Sequence, residues 1–320
     1  MKSFSELKKK SIPWSQIIPI VVLIALYIAM VIANPQSFSL SYLGIKGNIA
    51  LPLILIGVGQ TLVIISKGMD LSVGGIMSIS TCIIATLSDK SLILAIALCI
   101  VLGMVTGLVN SFLITCFKLQ PFVATLGTWT VLDGFALSIM KTDGGVVAQP
   151  LVTFMNSNIG PVAMSFILIV IILIIWQFAK NTALVYSIYA VGSNEKAAFC
   201  NGVHVTRIKV ITYVISGIFA SFGGIAYAGL MSTGSPTVGE PNIMMSVAAV
   251  VIGGTSLAGG AGGLAGTVIG VFILKVIGDI LIFAGVTSYW TSLFQGLLLI
   301  VSVVLGSITY ILKRGGNNYD

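Results

Sequence analysis

Charge is what this sequence has least of. Charged side chains form only 8% of the 320 residues, and Asp and Glu together number 9. An average soluble domain is about 25% charged, so a water-exposed surface of this size could not be covered and a soluble fold is excluded. His204 is the only histidine, and a lone histidine cannot build a metal site, so no metal is expected. The cysteines Cys82, Cys99, Cys116 and Cys200 fall in apolar stretches or on the side where thiols stay reduced, and no disulfide is expected. No Gly-x-x-x-x-Gly-Lys-Ser/Thr phosphate loop occurs, so ATP is not bound here by that route and no catalytic residue is assigned. The net charge is +7, but the basic residues stand singly at the ends of apolar runs, which points to lipid and not to nucleic acid as the partner.

What the chain does have is apolar sequence in long runs, with 57% of residues hydrophobic. A helix needs about 20 apolar residues to cross a bilayer core, and inside lipid every backbone polar group must be paired within its own element. The fold predicted is therefore all-α, a polytopic transmembrane helical bundle of about ten helices. Spans are expected near 15–33, 48–66, 71–88, 91–117, 121–140, 162–179, 208–230, 244–259, 264–284 and 289–312. This divides the chain into an N-terminal arm (1–14), a membrane domain (15–312) and a tail (313–320). Lys2, Lys8, Lys9 and Lys10 ahead of an apolar stretch resemble a signal peptide, but Ile17–Ala33 is long and lacks a clean small-residue cleavage site, so an uncleaved first span is expected.

With the N-terminus inside, Lys2, Lys8, Lys9, Lys10, Lys67, Lys118, Lys180, Lys196, Arg207, Lys209, Lys313 and Arg314 fall on the cytoplasmic side. Only Lys46, Lys90 and Lys141 fall outside, and Lys275 lies within a span. Twelve against three follows the positive-inside rule, so both termini are expected in the cytoplasm of a multi-pass inner-membrane protein. Two connections exceed a simple turn, 141–161 outside and 180–207 inside. The second gathers Asn194, Glu195, Lys196, Asn201, His204, Arg207 and Lys209, a surface on which a cytoplasmic partner could dock.

Within it, Gly192–Gly202 (GSNEKAAFCNG) predicts a short helix with built-in ends. Ser193 or Asn194 can cap the first amides, Glu195 suits the first turn, and Gly202 can take the left-handed conformation that stops the helix. Ala197 and Ala198 are small enough for another protein to approach closely. Residue types alone favour an ordinary surface helix between two spans.

Taken with QTLVIISKGMDLSVGG, PFVATLGTWTVLDGFAL, YAVGSNEKAAFCNGVHV and AAVVIGGTSLAGGAGGLAGTVIG, this segment resembles the ribose-type sugar permeases of the ABC transporter superfamily. The likeness runs from about Gly57 to Leu305 with the blocks in order. It implies that Gly192, Asn194, Glu195, Ala197, Ala198 and Gly202 form the helix that couples the permease to its ATPase. Lys196 departs from the Ala of many members, and Gly202 falls one residue later than in the general importer motif. The resemblance further implies a second permease copy or homologous permease, cytoplasmic ATP-binding subunits that hold ATP and Mg, and an extracytoplasmic solute-binding protein. No cofactor is implied for this chain.

Other motifs are read from their residues. Gly68, Asp70 and Gly74 in GMDLSVGG sit where one span ends and the next begins, with Asp70 expected to cap the third helix. Gly253, Gly254, Gly259 and Gly260 belong to a tract at 253–266 that predicts a hinge or tight reentry. A charge at mid-membrane costs about 2.5–3.5 kcal/mol on insertion scales. Asp133 therefore marks either a helix-to-helix contact or, with Thr125 and Trp129 at four-residue spacing, a stripe along the solute path. Gln60, Asn110 and Gln295 either bind helices together or line that path. Gly103 and Gly107 predict close helix packing ahead of Asn110. Lys275 and Asp279, four apart, predict an ion pair along one helix.

The function expected is the membrane-spanning subunit of an ATP-driven importer of a monosaccharide. Alternatives are nucleosides, autoinducer sugars or branched-chain amino acids as solute, or an ion-coupled carrier using Asp133, Asp279 and Lys275.

Overall fold

The computed structural model describes residues 14–286 and scattered positions from 290 to 300. The rest of the N-terminal arm, the body of the tenth predicted span with Gln295, and the 313–320 tail lie outside the described residues. In chain order the helices are α1 (Trp14–Ala33), α2 (Leu40–Ile65), α3 (Ser72–Leu87), α4 (Leu92–Thr115), α5 (Pro121–Ile139) and α6 (Gln149–Asn156). Then follow α7 (Met164–Ala179), α8 (Ala183–Ser193), α9 (Glu195–Cys200), α10 (Val205–Met231), α11 (Gly239–Ile252) and α12 (Leu264–Phe283). The nine predicted spans that are described all contain a helix, and α2, α4, α5, α10 and α12 are each long and apolar enough to cross a membrane alone.

Several boundaries differ from expectation for physical reasons. Polar residues from Ser41 to Asn48 hide the first turns of α2, which begins at Leu40 with Ser39 Oγ accepting from Tyr42 N at 3.2 Å. Lys46 consequently lies in α2 and not in an outer loop. The 180–207 connection is mostly helical: α8 folds back at 79° to α7 and buries Val185, Ile188 and Val191. The 141–161 connection holds α6 and the first strand of a hairpin, Asn158–Ile159 pairing antiparallel with Val162–Ala163, a small departure from an all-helical chain. The span expected at 244–259 is instead α11, Gly239–Ile252, because the Gly-rich tract stops it. The Lys275–Asp279 pair does not form; Asp279 is held across helices by Lys46 at 2.7 Å and by the Tyr42 hydroxyl at 2.9 Å.

The longest helix, α10, is the hub, packed against α2, α3 and α4. Glycine sets how closely it is approached. A Cβ at Gly59 would lie 2.6 Å from Ser216 Cα, and one at Gly107 would lie 2.5 Å from Tyr213 O. Gly103 and Gly217 meet backbone to backbone at the α4–α10 crossing. This is the small-residue packing that lipid-embedded helices use, where no hydrophobic force distinguishes partner from solvent.

Among the helices too short to cross, α3 has 16 residues and α11 has 14. Both begin inside the bundle. Ser216, beside the start of α3, lies eleven residues beyond Val205 on α10, which is roughly 16 Å along the axis at 1.5 Å per residue and near the middle of a core about 30 Å thick. After α2 the chain therefore turns back over 66–71 to this depth before α3 starts. From the opposite face, residues 232–238 descend beside α3, with Ser235 N donating to Thr81 Oγ1 at 3.0 Å and Gly239 N to Ser78 Oγ at 3.0 Å. Then α11 starts against Gly74.

Replacing Gly217 by Val should place side-chain atoms on the α4 backbone and destabilise the bundle by about 1–3 kcal/mol or more. Gly134→Ala, where a Cβ meets nothing within 4 Å, should be tolerated. Thermal midpoints in detergent, followed by size-exclusion chromatography after heating, should separate the two.

Candidate functional site

The residues singled out from sequence fall into two places, a polar chain at the centre of the bundle and a joint behind α9. Asp70 anchors the first. It is 1% exposed, and its Oδ1 accepts from Ser72 N at 3.0 Å and Ser72 Oγ at 2.6 Å while Oδ2 accepts from Ser216 Oγ at 2.7 Å. Asn110 Nδ2 donates to the same Ser72 Oγ at 2.8 Å, and Thr128 Oγ1 donates to Asn110 Oδ1 at 2.7 Å. Every donor points towards the carboxylate, so one directed chain links α5, α4, α3 and α10 through Asp70. Asp70 precedes α3 by two residues, so its charge also faces the positive end of that helix, a favourable term of about 0.3–2 kcal/mol.

Sequence placed Asp70 at a span boundary; it is buried within the bundle in the turn between α2 and α3, where its cap contact to Ser72 N is one of three. Asn110 belongs to the hydrogen-bonded chain and not to an open path. Thr125 is fully buried, with Oγ1 donating to Pro121 O at 2.8 Å, so it is closed off from any solute along the expected Thr125–Trp129–Asp133 stripe. Trp129 and Asp133 are half-buried. Trp129 Nε1 has no hydrogen-bond partner among the described residues. Gln60 is fully buried, and neither amide atom has a partner among the described residues. Gly68 and Gly74 allow close contact, the first under the Tyr213 hydroxyl and the second against Gly239 O. Ser72, Thr128 and Ser216 were missed from sequence, because single hydroxyls in apolar helices carry no periodic signal.

The second place is built around Gly192. Asn194, not Ser193, caps α9, its Oδ1 accepting from Ala197 N at 3.0 Å. Gly202, at φ 83°, ends the helix, with Val203 N donating to Ala198 O at 3.0 Å. Glu195 meets Lys209 at 2.7 Å. Ala198 does not face outward as expected; it is buried against Leu62, Ile65, Ile188, Val191 and Ile208, while Ala197 and Phe199 are exposed, the latter to 70%.

Behind α9 the Gly-rich tract closes a three-way joint. Gly192 lies on the carbonyl of Ile65 at the end of α2, leaving no room for a Cβ. The same carbonyl accepts from Gly260 N at 2.9 Å. Gly259 and Gly260 take left-handed φ of 82° and 70° and pack on Gly192 and Ser193. Tyr189 Oη, on α8, donates to Gly262 O at 2.6 Å. Gly254, also left-handed at φ 86°, opens the turn, and Gly253 touches Gly266 backbone to backbone across it. The tract is therefore a pinned turn between α11 and α12, bound to the segment that carries α9. Among the described residues no group of three His, Cys, Asp or Glu could hold a metal ion.

A family model described as branched-chain amino acid transport system, permease component, matches residues 47–303. The ribose import permease of Bacillus subtilis (strain 168) is 35% identical over 302 residues, covering 90% of this chain and 91% of that protein. The fructose import permease of Rhizobium meliloti is 34% identical over 264 residues, 78% of this chain and 73% of that one. The galactose/methyl galactoside import permease of Haemophilus influenzae (strain ATCC 51907 / DSM 11121 / KW20 / Rd) is 30% identical over 288 residues, 82% and 84% of the two chains. No solved structure matches the chain.

Ser216→Ala should leave a buried carboxylate oxygen of Asp70 without its donor, at about 1–3 kcal/mol. The expected result is a thermal midpoint several degrees lower in detergent. An unchanged midpoint would show that the hydroxyl contact does not support the fold.

Proposed function

Since the chain belongs to the branched-chain amino acid transport system permease component family, we propose that it is the membrane-spanning subunit of an ATP-driven importer of a monosaccharide. The sugar imports named for its relatives support that choice of solute. The face carrying α9 is cytoplasmic in this reading, as are both termini. A cytoplasmic subunit holding ATP and Mg docks on α9, a second permease copy or homologue completes the pathway, and an external binding protein delivers the solute. This chain supplies no catalysis.

The observation that carries the reading is the joint behind α9. A helix of six residues shows Glu195, Ala197 and the ring of Phe199 outward and buries only Ala198. Its backing at Gly192 is tied in one step to the end of α2 and to the turn between α11 and α12. A push on α9 is thus passed to the end of α2 and to the turn that joins α11 to α12. The ion-coupled alternative loses ground because the Asp279 carboxylate is engaged by Lys46 and Tyr42.

Glu195→Lys, together with Phe199→Ala, should cut sugar uptake and co-purification of the ATPase by about tenfold, equivalent to roughly 1.4 kcal/mol. Loss of the half-exposed pair with Lys209 is itself worth only about 0–1 kcal/mol, so the isolated permease should stay folded. Normal uptake with normal association rejects the docking assignment. Tyr189→Phe should leave association intact yet reduce the uptake achieved per ATP hydrolysed, read by parallel uptake and phosphate-release assays. Competition of labelled ribose uptake by hexoses, nucleosides and branched-chain amino acids identifies the solute class.

A further inference from the structure

Beside α9, the ends of α2 and α4, the start of α5 and the α8–α10 connections enclose a cleft of about 790 Å³. Lys67, Lys118, Lys196 and Lys209 line it, with Glu195 as the one acid in the lining. Lys209 is engaged by Glu195 at 2.7 Å, and among the described residues the other three lysines have no carboxylate within ion-pair distance. Lysines gather on the inner face of any membrane protein, and that explains their side but not their positions. Lys67 and Lys118 both occupy left-handed backbone, at φ 64° and 55°, each at the turn that ends a long helix. Glycine serves such turns without strain, as Gly202 does after α9. Here two different helices end instead on a long cation in an unfavourable conformation, and both cations border the same cleft. Thr115 and Ser193 add neutral hydroxyls to the lining.

Lysine ammonium groups bind phosphate as point charges, and the cleft exceeds a water molecule's share of about 30 Å³ by more than twentyfold, so it holds more than an inorganic ion. We propose that the cleft binds a phosphate-bearing small polyol, the glycerophosphate chemistry shared by soluble phosphate esters and by anionic lipid headgroups. The Cβ of Lys67 lies against Gly259, so an occupant held by Lys67 bears on the joint behind α9. The site stands on these residues alone, whichever solute the permease carries.

The test uses the full chain in maltoside micelles, with amine acetylation at Lys67, Lys118 and, as a control on the opposite face, Lys90 followed by mass spectrometry. Glycerol 3-phosphate or phosphatidylglycerol should slow labelling of Lys67 and Lys118 but not of Lys90. Protection by glycerol 3-phosphate assigns a soluble ester, and protection by phosphatidylglycerol alone assigns a lipid headgroup. Lys118→Gln should weaken the apparent affinity at Lys67 about tenfold, the loss of one charge-assisted contact. Lys196→Gln provides the same comparison from a separate element should Lys118→Gln not fold. Absence of protection by both ligands, or protection only when the ATPase subunit is added, overturns the proposal, the latter making the cleft a protein-docking surface.

Discussion

A carboxylate at the centre of a lipid-embedded bundle has to be solvated by protein, and Asp70 receives that solvation from a backbone amide and two hydroxyls. The requirement shapes much of the architecture around it. The chain must turn back from the end of α2 to bring Asp70 to mid-depth, α3 must start there so that its first amide and its dipole face the charge, and α10 must come close enough for Ser216 to donate. That last approach is what Gly59 permits, since no side chain would fit between its Cα and Ser216. Asn110 and Thr128 extend the solvation outward, so α4 and α5 are positioned by the same group that fixes α3 and α10.

Glycine does the complementary work on the α9 face. Gly192, Gly259 and Gly260 bring three backbones into contact where any side chain would separate them. Contacts of this kind transmit displacement well, because close-packed main chain has little room to absorb it. Asp70 of the central polar chain lies in the turn that follows Ile65 of the peripheral joint, so the two places singled out by sequence are parts of one framework.

The spans were legible because apolar runs and the sides on which Lys and Arg fall constrain each other, and nine of them appear as helices. The α9 signal was equally local: Asn194 and Gly202 act within one turn of their own helix. What could not be read depends on partners distant in sequence. Asp70 looks like a helix cap until Ser216 is placed beside it, 146 residues on. Asp279 has Lys275 at the spacing of an ion pair, yet Lys46 reaches it first. Ala198 and Ala197 are chemically identical, and only the arrival of Ile65 and Ile208 decides which faces inward. The short starts of α3 and α11 were hidden for the same reason, since depth in the membrane is a property of the bundle and not of any one run.

The Lys46–Asp279 pair also bears on how the protein is made. Its members are 233 residues apart, and a membrane protein emerges from the ribosome amino end first. For most of synthesis Lys46 sits in an inserted helix without its counter-ion, reaching towards the headgroups. The early helices can therefore be threaded but not sealed until α12 arrives.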